Sequence, residues 1–129
     1  MAVMIPVSWG ELFDKITILQ IKAERMRDPD KLQNVRRELA ALDAVMQAAG
    51  PLDADARAAM DALRAANAKL WDIEDDIRNC EREQRFDAEF VRLARAVYYT
   101  NDERAALKKR LNSLLGSELV EEKSYASYT

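Results

Sequence analysis

The apolar residues of this chain recur at alternating spacings of three and four, and this spacing constrains the fold more than any other feature. Because an α-helix has 3.6 residues per turn, each set lies on one helical face. When two such sets are paired across the turn at residues 28–30, the residue numbers of every facing pair add up to 58. A constant total is what an antiparallel helical hairpin requires, so the pattern predicts one. The facing sets are Trp9, Leu12, Ile16, Leu19, Ala23 and Met26 against Leu32, Val35, Leu39, Leu42, Met46 and Ala49.

The second half of the chain predicts a longer hairpin of the same kind. Its facing residue numbers add up to 170 or 171, and no helix breaker interrupts residues 55–85, so each helix reaches about 30 residues. Together the two hairpins predict an all-α four-helix bundle with coiled-coil-like seams, in which the second hairpin is longer than the first. The facing sets of the second hairpin are Met60, Leu63, Asn67, Leu70, Glu74, Ile77 and Glu81 against Leu111, Leu107, Arg104, Thr100, Val97, Leu93 and Phe90.

Short signals mark the ends of the predicted helical region. Ser8 opens the first helix in a capping-box pattern, and Gly116 ends the last helix. We expect a single domain over residues 1–129, with an extended N-terminus at 1–7. The tail at 117–129 contains two tyrosines and two branched apolar residues, which is unusual for a disordered segment. We therefore expect the tail to dock on the bundle or on a second subunit.

The composition argues against several classes of function. The net charge is −3, whereas a nucleic-acid-binding face is usually basic, so no nucleic-acid partner is expected. The chain has no histidine, which removes the usual catalytic triads and most zinc sites. No apolar run approaches the roughly 20 residues that span a bilayer, and the one cysteine, Cys80, fits a reducing compartment. We expect a cytoplasmic protein without a membrane segment, metal, cofactor or catalytic residues.

Polar residues in the second seam are the candidate functional residues. In the predicted register Arg104 faces Asn67, and Glu74 lies two turns along the same stripe, so these two side chains are the predicted acceptors for Arg104. Three interpretations stay open, because polar side chains inside a bundle must bond one another or a ligand, or else be exposed. The candidate ligand-binding residues are Lys15, Lys22, Arg25, Asn67, Glu74, Arg78, Asn101, Arg104 and Lys108.

The first helix carries a second face of mixed character. One interpretation is a solvated face, on which Glu11 and Lys15 form a weak pair at i,i+4. The other is that Ile18 and Ile21 need cover, so that this face meets the second hairpin or another subunit. The members of this face are Glu11, Asp14, Lys15, Ile18, Ile21, Lys22 and Arg25.

The unequal lengths of the two hairpins predict self-association. The second hairpin outruns the first by roughly 15 Å at 1.5 Å per residue. At one end or the other the excess carries apolar residues that the short hairpin cannot cover, and a homodimer would cover them. The residues concerned are Ile77, Phe86, Phe90 and Leu93, or else Leu63, Leu111 and Leu114.

Three segments of the chain resemble a family of small bacterial proteins of unknown function. They are SWGELFDKITIL at 8–19, LWDIEDDIR at 70–78, and the NDERA, GS and EEKSY motifs between residues 101 and 125. The resemblance spans about residues 5–128. It implies a supporting role in bacterial surface-glycan assembly, and it assigns no catalytic or binding residue.

Two hypotheses about function follow. The first is a non-enzymatic cytoplasmic helical binding or assembly module, acting as a homodimer or with a protein partner. The second is a small enzyme or sensor that binds an anionic or phosphorylated metabolite through the polar stripe. In the second hypothesis the acidic run at 72–76 could hold Mg²⁺, since hard cations take several oxygen ligands.

Overall fold

The computed structural model describes residues 1–129 and contains four α-helices and no strand. The predicted all-α bundle of two antiparallel hairpins is confirmed. The second hairpin is the longer one, because its helices have 29 and 27 residues against 17 and 20 in the first. The helices are α1 (Trp9–Arg25), α2 (Pro29–Ala48), α3 (Ala54–Arg82) and α4 (Ala88–Leu114).

A side chain caps the N-terminus of every helix, and at α1 it is Ser8, as the sequence predicts. The Ser8 hydroxyl accepts a hydrogen bond from the Glu11 amide at 3.1 Å, and Asp28, Asp53 and Asp87 accept equivalent bonds at the other three helices. Such caps satisfy amides that have no partner within the helix. The reciprocal half of the capping box is absent, because the Glu11 carboxylate bonds to α4 instead.

The helix α1 lies at the centre of the bundle, and its backbone lies close to those of all three other helices. The backbone of α2 lies close to that of α1 alone. The main apolar core is where α1 meets the α3–α4 hairpin, around Phe13, Leu63 and Leu111. A second cluster, with Ile73 and Leu93 at its centre, is formed by α3 and α4 alone. One end of the long hairpin is therefore only two helices thick. We call this end, residues 73–97, the distal arm.

A close contact at Gly10 fixes the position of α1 on α4. The Gly10 amide donates a hydrogen bond to the Asn112 side-chain oxygen at 2.7 Å. A β-carbon at this position would lie 2.4 Å from the backbone carbonyl oxygen of Lys108, so only glycine allows the two helices to come this close. The polar residues in the next turn of α1 consequently face α4 directly.

The tail, residues 117–129, runs back along α4 in the opposite direction. It follows a reversal at Gly116, whose φ of +63° is favourable for glycine. Glu121 pairs with Lys108 near the end of α4, whereas Tyr128 reaches Tyr98, ten residues earlier in that helix. None of the four helices combines the length and the apolar character needed to cross a bilayer.

Candidate functional site

The most unusual feature of the bundle interior is a buried carboxylate on α1. The Asp14 side chain is only 2% exposed, and it accepts hydrogen bonds from both neighbouring helices of the long hairpin. Arg104 of α4 donates through Nε at 2.9 Å and also through Nη2, which makes the pair bidentate. Asn67 of α3 donates to the same carboxylate at 2.9 Å. Asp14 therefore joins three helices at one point.

The remaining polar groups around Asp14 are also satisfied. The Asn67 amide donates a second bond to Thr17 Oγ1 at 3.0 Å, and the Thr17 hydroxyl donates to the Asp14 backbone carbonyl at 2.9 Å. No buried side-chain nitrogen or oxygen in the chain lacks a partner. This saturation is typical of a polar network that stabilises and specifies a core.

Lys108 extends the network toward the surface. Its Nζ lies 2.8 Å from Glu11 Oε2, 3.7 Å from Asp14 Oδ2 and 3.0 Å from Glu121 Oε2 in the tail. We call Glu11, Asp14, Arg104 and Lys108 the charge cluster; it holds two cations and two carboxylates. The tail adds a third carboxylate, so the cluster presents no unneutralised positive charge to solvent.

The contacts within the charge cluster favour the charged forms of Asp14, Arg104 and Lys108. Burial by itself raises the pKa of Asp14, but hydrogen bonds from Arg104 and Asn67 outweigh it and the net pKa is lowered. The hydrogen bond with Asp14 raises the pKa of Arg104. Burial lowers the pKa of Lys108, and the bonds with Glu11 and Glu121 more than compensate, so that its pKa is raised. At neutral pH Asp14, Arg104 and Lys108 are therefore charged and paired with one another or with a neighbouring carboxylate.

The two predicted acceptors of Arg104, Asn67 and Glu74, are both wrong. Arg104 donates to Asp14 instead, and Asn67 is itself a donor to that carboxylate. Glu74 is exposed and pairs with Arg78 one turn away on α3, at 3.3 Å. The shorter Asp14 takes its place, because α1 lies in the groove between α3 and α4 and brings the carboxylate directly to Arg104. The second face of α1 therefore meets the second hairpin, and the solvated interpretation of that face is wrong for Asp14 and for Ile21, each 2% exposed.

The structure brings together only part of the predicted set. Asn67, Arg104 and Lys108 surround Asp14, and Asn101 lies at the edge, 3.5 Å from the Arg104 guanidinium.

Lys15, Lys22 and Arg25 lie elsewhere on α1. Lys15 is half exposed and 3.9 Å from Glu11, whereas Lys22 forms no ion pair. Arg25 pairs with Asp72 at 2.6 Å and covers the ring of Trp71. One sequence signal could have indicated that Asp14 is buried. Asp14 and Ile21 lie two turns apart on the same side of α1, and the apolar Ile21 needs to be covered.

A groove of about 460 Å³ opens beside the charge cluster, between α1 and the base of the distal arm. It contains four of the predicted stripe residues, but its walls carry both signs of charge. The lining residues are Ile18, Asn67, Leu70, Trp71, Glu74, Asp75, Asn101 and Arg104. The acidic run at 72–76 does not converge, and no group of three acidic or cysteine side chains could hold a metal ion. Cys80 is buried in the arm.

Comparison with known proteins gives one result. A family model described as a family of unknown function, DUF6165, matches residues 2–129. No curated protein and no solved structure matches the chain.

Proposed function

The chain belongs to the DUF6165 family, whose function is unknown, and we propose that it is a non-enzymatic helical binding and assembly module that forms a cytoplasmic homodimer. A supporting role in bacterial surface-glycan assembly, which the resemblance of its three segments implies, is part of this proposal.

The observation that carries the proposal is the saturation of the charge cluster. Asp14 bonds Arg104 and Asn67, and Lys108 bonds Glu11, so the polar groups of the interior are used to join helices. An enzyme active site instead directs a nucleophile, an acid or a base toward a cleft where substrate can reach it. A network of this kind supports a structural role for the predicted polar stripe.

The distal arm supports self-association. The arm is a two-helix layer, and Phe86 and Val91 are each more than 50% exposed on it, although both are large apolar residues. The Phe86 ring packs perpendicular to the Phe90 ring at a centroid distance of 5.3 Å. Covering such residues with a second copy removes apolar surface from water, which favours a homodimer.

Light scattering with a matched pair of variants tests this proposal. We expect the wild-type chain at tens of micromolar to give twice the chain mass of 14.7 kDa. Val91→Glu, on the arm, should weaken the dimer, whereas Val45→Glu, at a similarly exposed valine of α2, should leave it unchanged. A wild-type monomer across this concentration range would contradict the proposal.

A second candidate function, the binding of an anionic metabolite, is favoured by one observation. Lys108 and Lys109 each hold a carboxylate of the tail, at 3.0 and 2.9 Å, so this end of α4 accepts anions. A thermal-shift screen with inorganic phosphate, nucleotides, sugar nucleotides and Mg²⁺ distinguishes the two functions, because a specific ligand raises the melting temperature by mass action. A saturable shift with one compound would favour metabolite binding, and a flat screen would favour the assembly module.

A further inference from the structure

We propose that two copies of this chain exchange their tails, so that residues 117–129 of each copy bind along α4 of the other. This inference rests on the proposed function as a self-assembling module and identifies the segment that joins the copies. The α4 surface concerned consists of Tyr98, Tyr99, Asp102, Lys108 and Lys109, and we call it the tail receptor.

The tail and its receptor are complementary in charge and in register. Glu121 pairs with Lys108, Glu122 with Lys109, and the next residue, Lys123, pairs with Asp102. Two acidic residues followed by a basic one thus meet two basic residues and an acidic one. Such an order of charges selects one peptide sequence in one direction, and the sequence that fits is present in every copy of the chain.

An aromatic contact completes the recognition. The Tyr128 ring lies 5.2 Å from the ring of Tyr98 and 4.9 Å from that of Tyr99, and its hydroxyl donates to Asp102. Aromatic pairs at these distances contribute more than their buried area alone. The far end of the tail is therefore attached at a defined place on α4, beside Tyr98 and Tyr99.

The same tail is held weakly enough to be released. Every residue from 118 to 129 is exposed, and none of them makes a backbone–backbone hydrogen bond. An open groove of about 740 Å³ lies beside these contacts, between residues 125–129 of the tail and Tyr98 and Asp102 of α4. Exposed ion pairs are individually weak, so releasing the tail does not disturb the helical core.

Gly116 provides the hinge that an exchange requires. It is exposed, its φ is +63°, and no atom lies within 4 Å of the position of a β-carbon. A change at this residue redirects the tail and breaks two hydrogen bonds of Ser117, one from the Trp9 amide and one to the Asn112 carbonyl. Reciprocal exchange preserves the contacts of residues 121–128 with the tail receptor. Any further contact between the two copies, such as one through the exposed Phe86 and Val91, then favours the dimer.

Charge reversal at one pair separates exchange between chains from docking within a chain. Asp102→Lys reverses the receptor charge and Lys123→Asp reverses the tail charge, so each variant alone should form a weaker dimer than the wild type. When the two variants are mixed, an exchanged heterodimer restores both opposite-charge pairs, one native and one reversed. We expect the mixture to form a heterodimer with a dissociation constant about tenfold lower than that of either variant alone, as two restored exposed pairs would give.

Two controls distinguish a failure of tail exchange from a failure of the assembly module. Lys31→Asp on exposed α2 carries the same charge change away from the tail and should not complement Asp102→Lys. A chain truncated after Gly116 should be monomeric and folded by circular dichroism. If the wild type is a dimer but the truncated chain and both single variants dimerise as strongly, tail exchange is overturned and the assembly module stands. If the wild type itself is a monomer and the mixture does not associate, both proposals are overturned.

Discussion

Substitution of Arg104 by methionine should destabilise the bundle substantially, because it leaves a buried carboxylate without its main partner. Methionine keeps the apolar stem of the side chain, so the change isolates the guanidinium. Removing one partner of a buried ion pair costs about 3–5 kcal/mol. Arg104 is 30% exposed, and Lys108 remains 3.7 Å from Asp14, so we expect a loss of about 2–4 kcal/mol in the free energy of unfolding.

The measurement is urea unfolding followed by helical circular dichroism. Arg78→Met is the matched control, since Arg78 also pairs with a carboxylate, Glu74, but on the surface within one helix. An exposed i,i+4 pair contributes only about 0.3–0.5 kcal/mol. The double variant Arg104→Met with Asp14→Leu should recover much of the loss, because an apolar pair removes the stranded charge.

The pH dependence checks the reasoning separately. The pKa of Asp14 is lowered in the folded protein, so its contribution is present above the ordinary carboxyl pKa of about 4 and is lost as the pH falls through the folded value. Without Arg104, burial dominates and raises the pKa of Asp14, so protonation stabilises the variant. The difference between wild type and variant should therefore shrink from pH 7 to about pH 3. A difference that stays constant over this range, or one no larger than that of the Arg78→Met control, would refute the argument.

Three further predictions address the helix contacts, the tail and the core. Gly10→Ala should lower the free energy of unfolding by about 1–3 kcal/mol in chemical denaturation because its β-carbon overlaps the Lys108 carbonyl, whereas helix propensity alone predicts a gain of about 1 kcal/mol. The hydrogen bond to Asp102 raises the pKa of Tyr128 to about 12, and Asp102→Ala should return it toward 10 in an ultraviolet titration, with the helices monitored by circular dichroism; an unchanged titration would exclude that bond. Leu63→Ala should cost about 2–5 kcal/mol in thermal or chemical unfolding, because Leu63 is fully buried in the main cluster.

The fold could be predicted from the sequence because each hairpin is formed by neighbours in the chain with a simple periodicity. In the second hairpin, the predicted register places Leu63 opposite Leu107 and Asn67 opposite Arg104. Both pairs follow from counting residues along the two helices. The partner of Arg104 could not be obtained in this way, because Asp14 belongs to the other hairpin. The depth at which α1 enters the groove depends on the close contact of Gly10 with the Lys108 backbone. That contact produces no periodic pattern in the sequence, so it could not be predicted.

The peripheral position of α2 has a consequence for the order in which the chain unfolds. Only Val35 of its 20 residues is buried, and its backbone contacts α1 alone. Opening α2 therefore exposes one face of α1 and withdraws Met46 from the main cluster, but it leaves the α3–α4 hairpin and the Asp14 network intact. In native-state hydrogen exchange the amides of α2 should exchange through this local opening, with a smaller protection than those around Phe13 and Leu63. The protein would then have a populated three-helix state, in which the stripe of α1 normally covered by α2 becomes accessible.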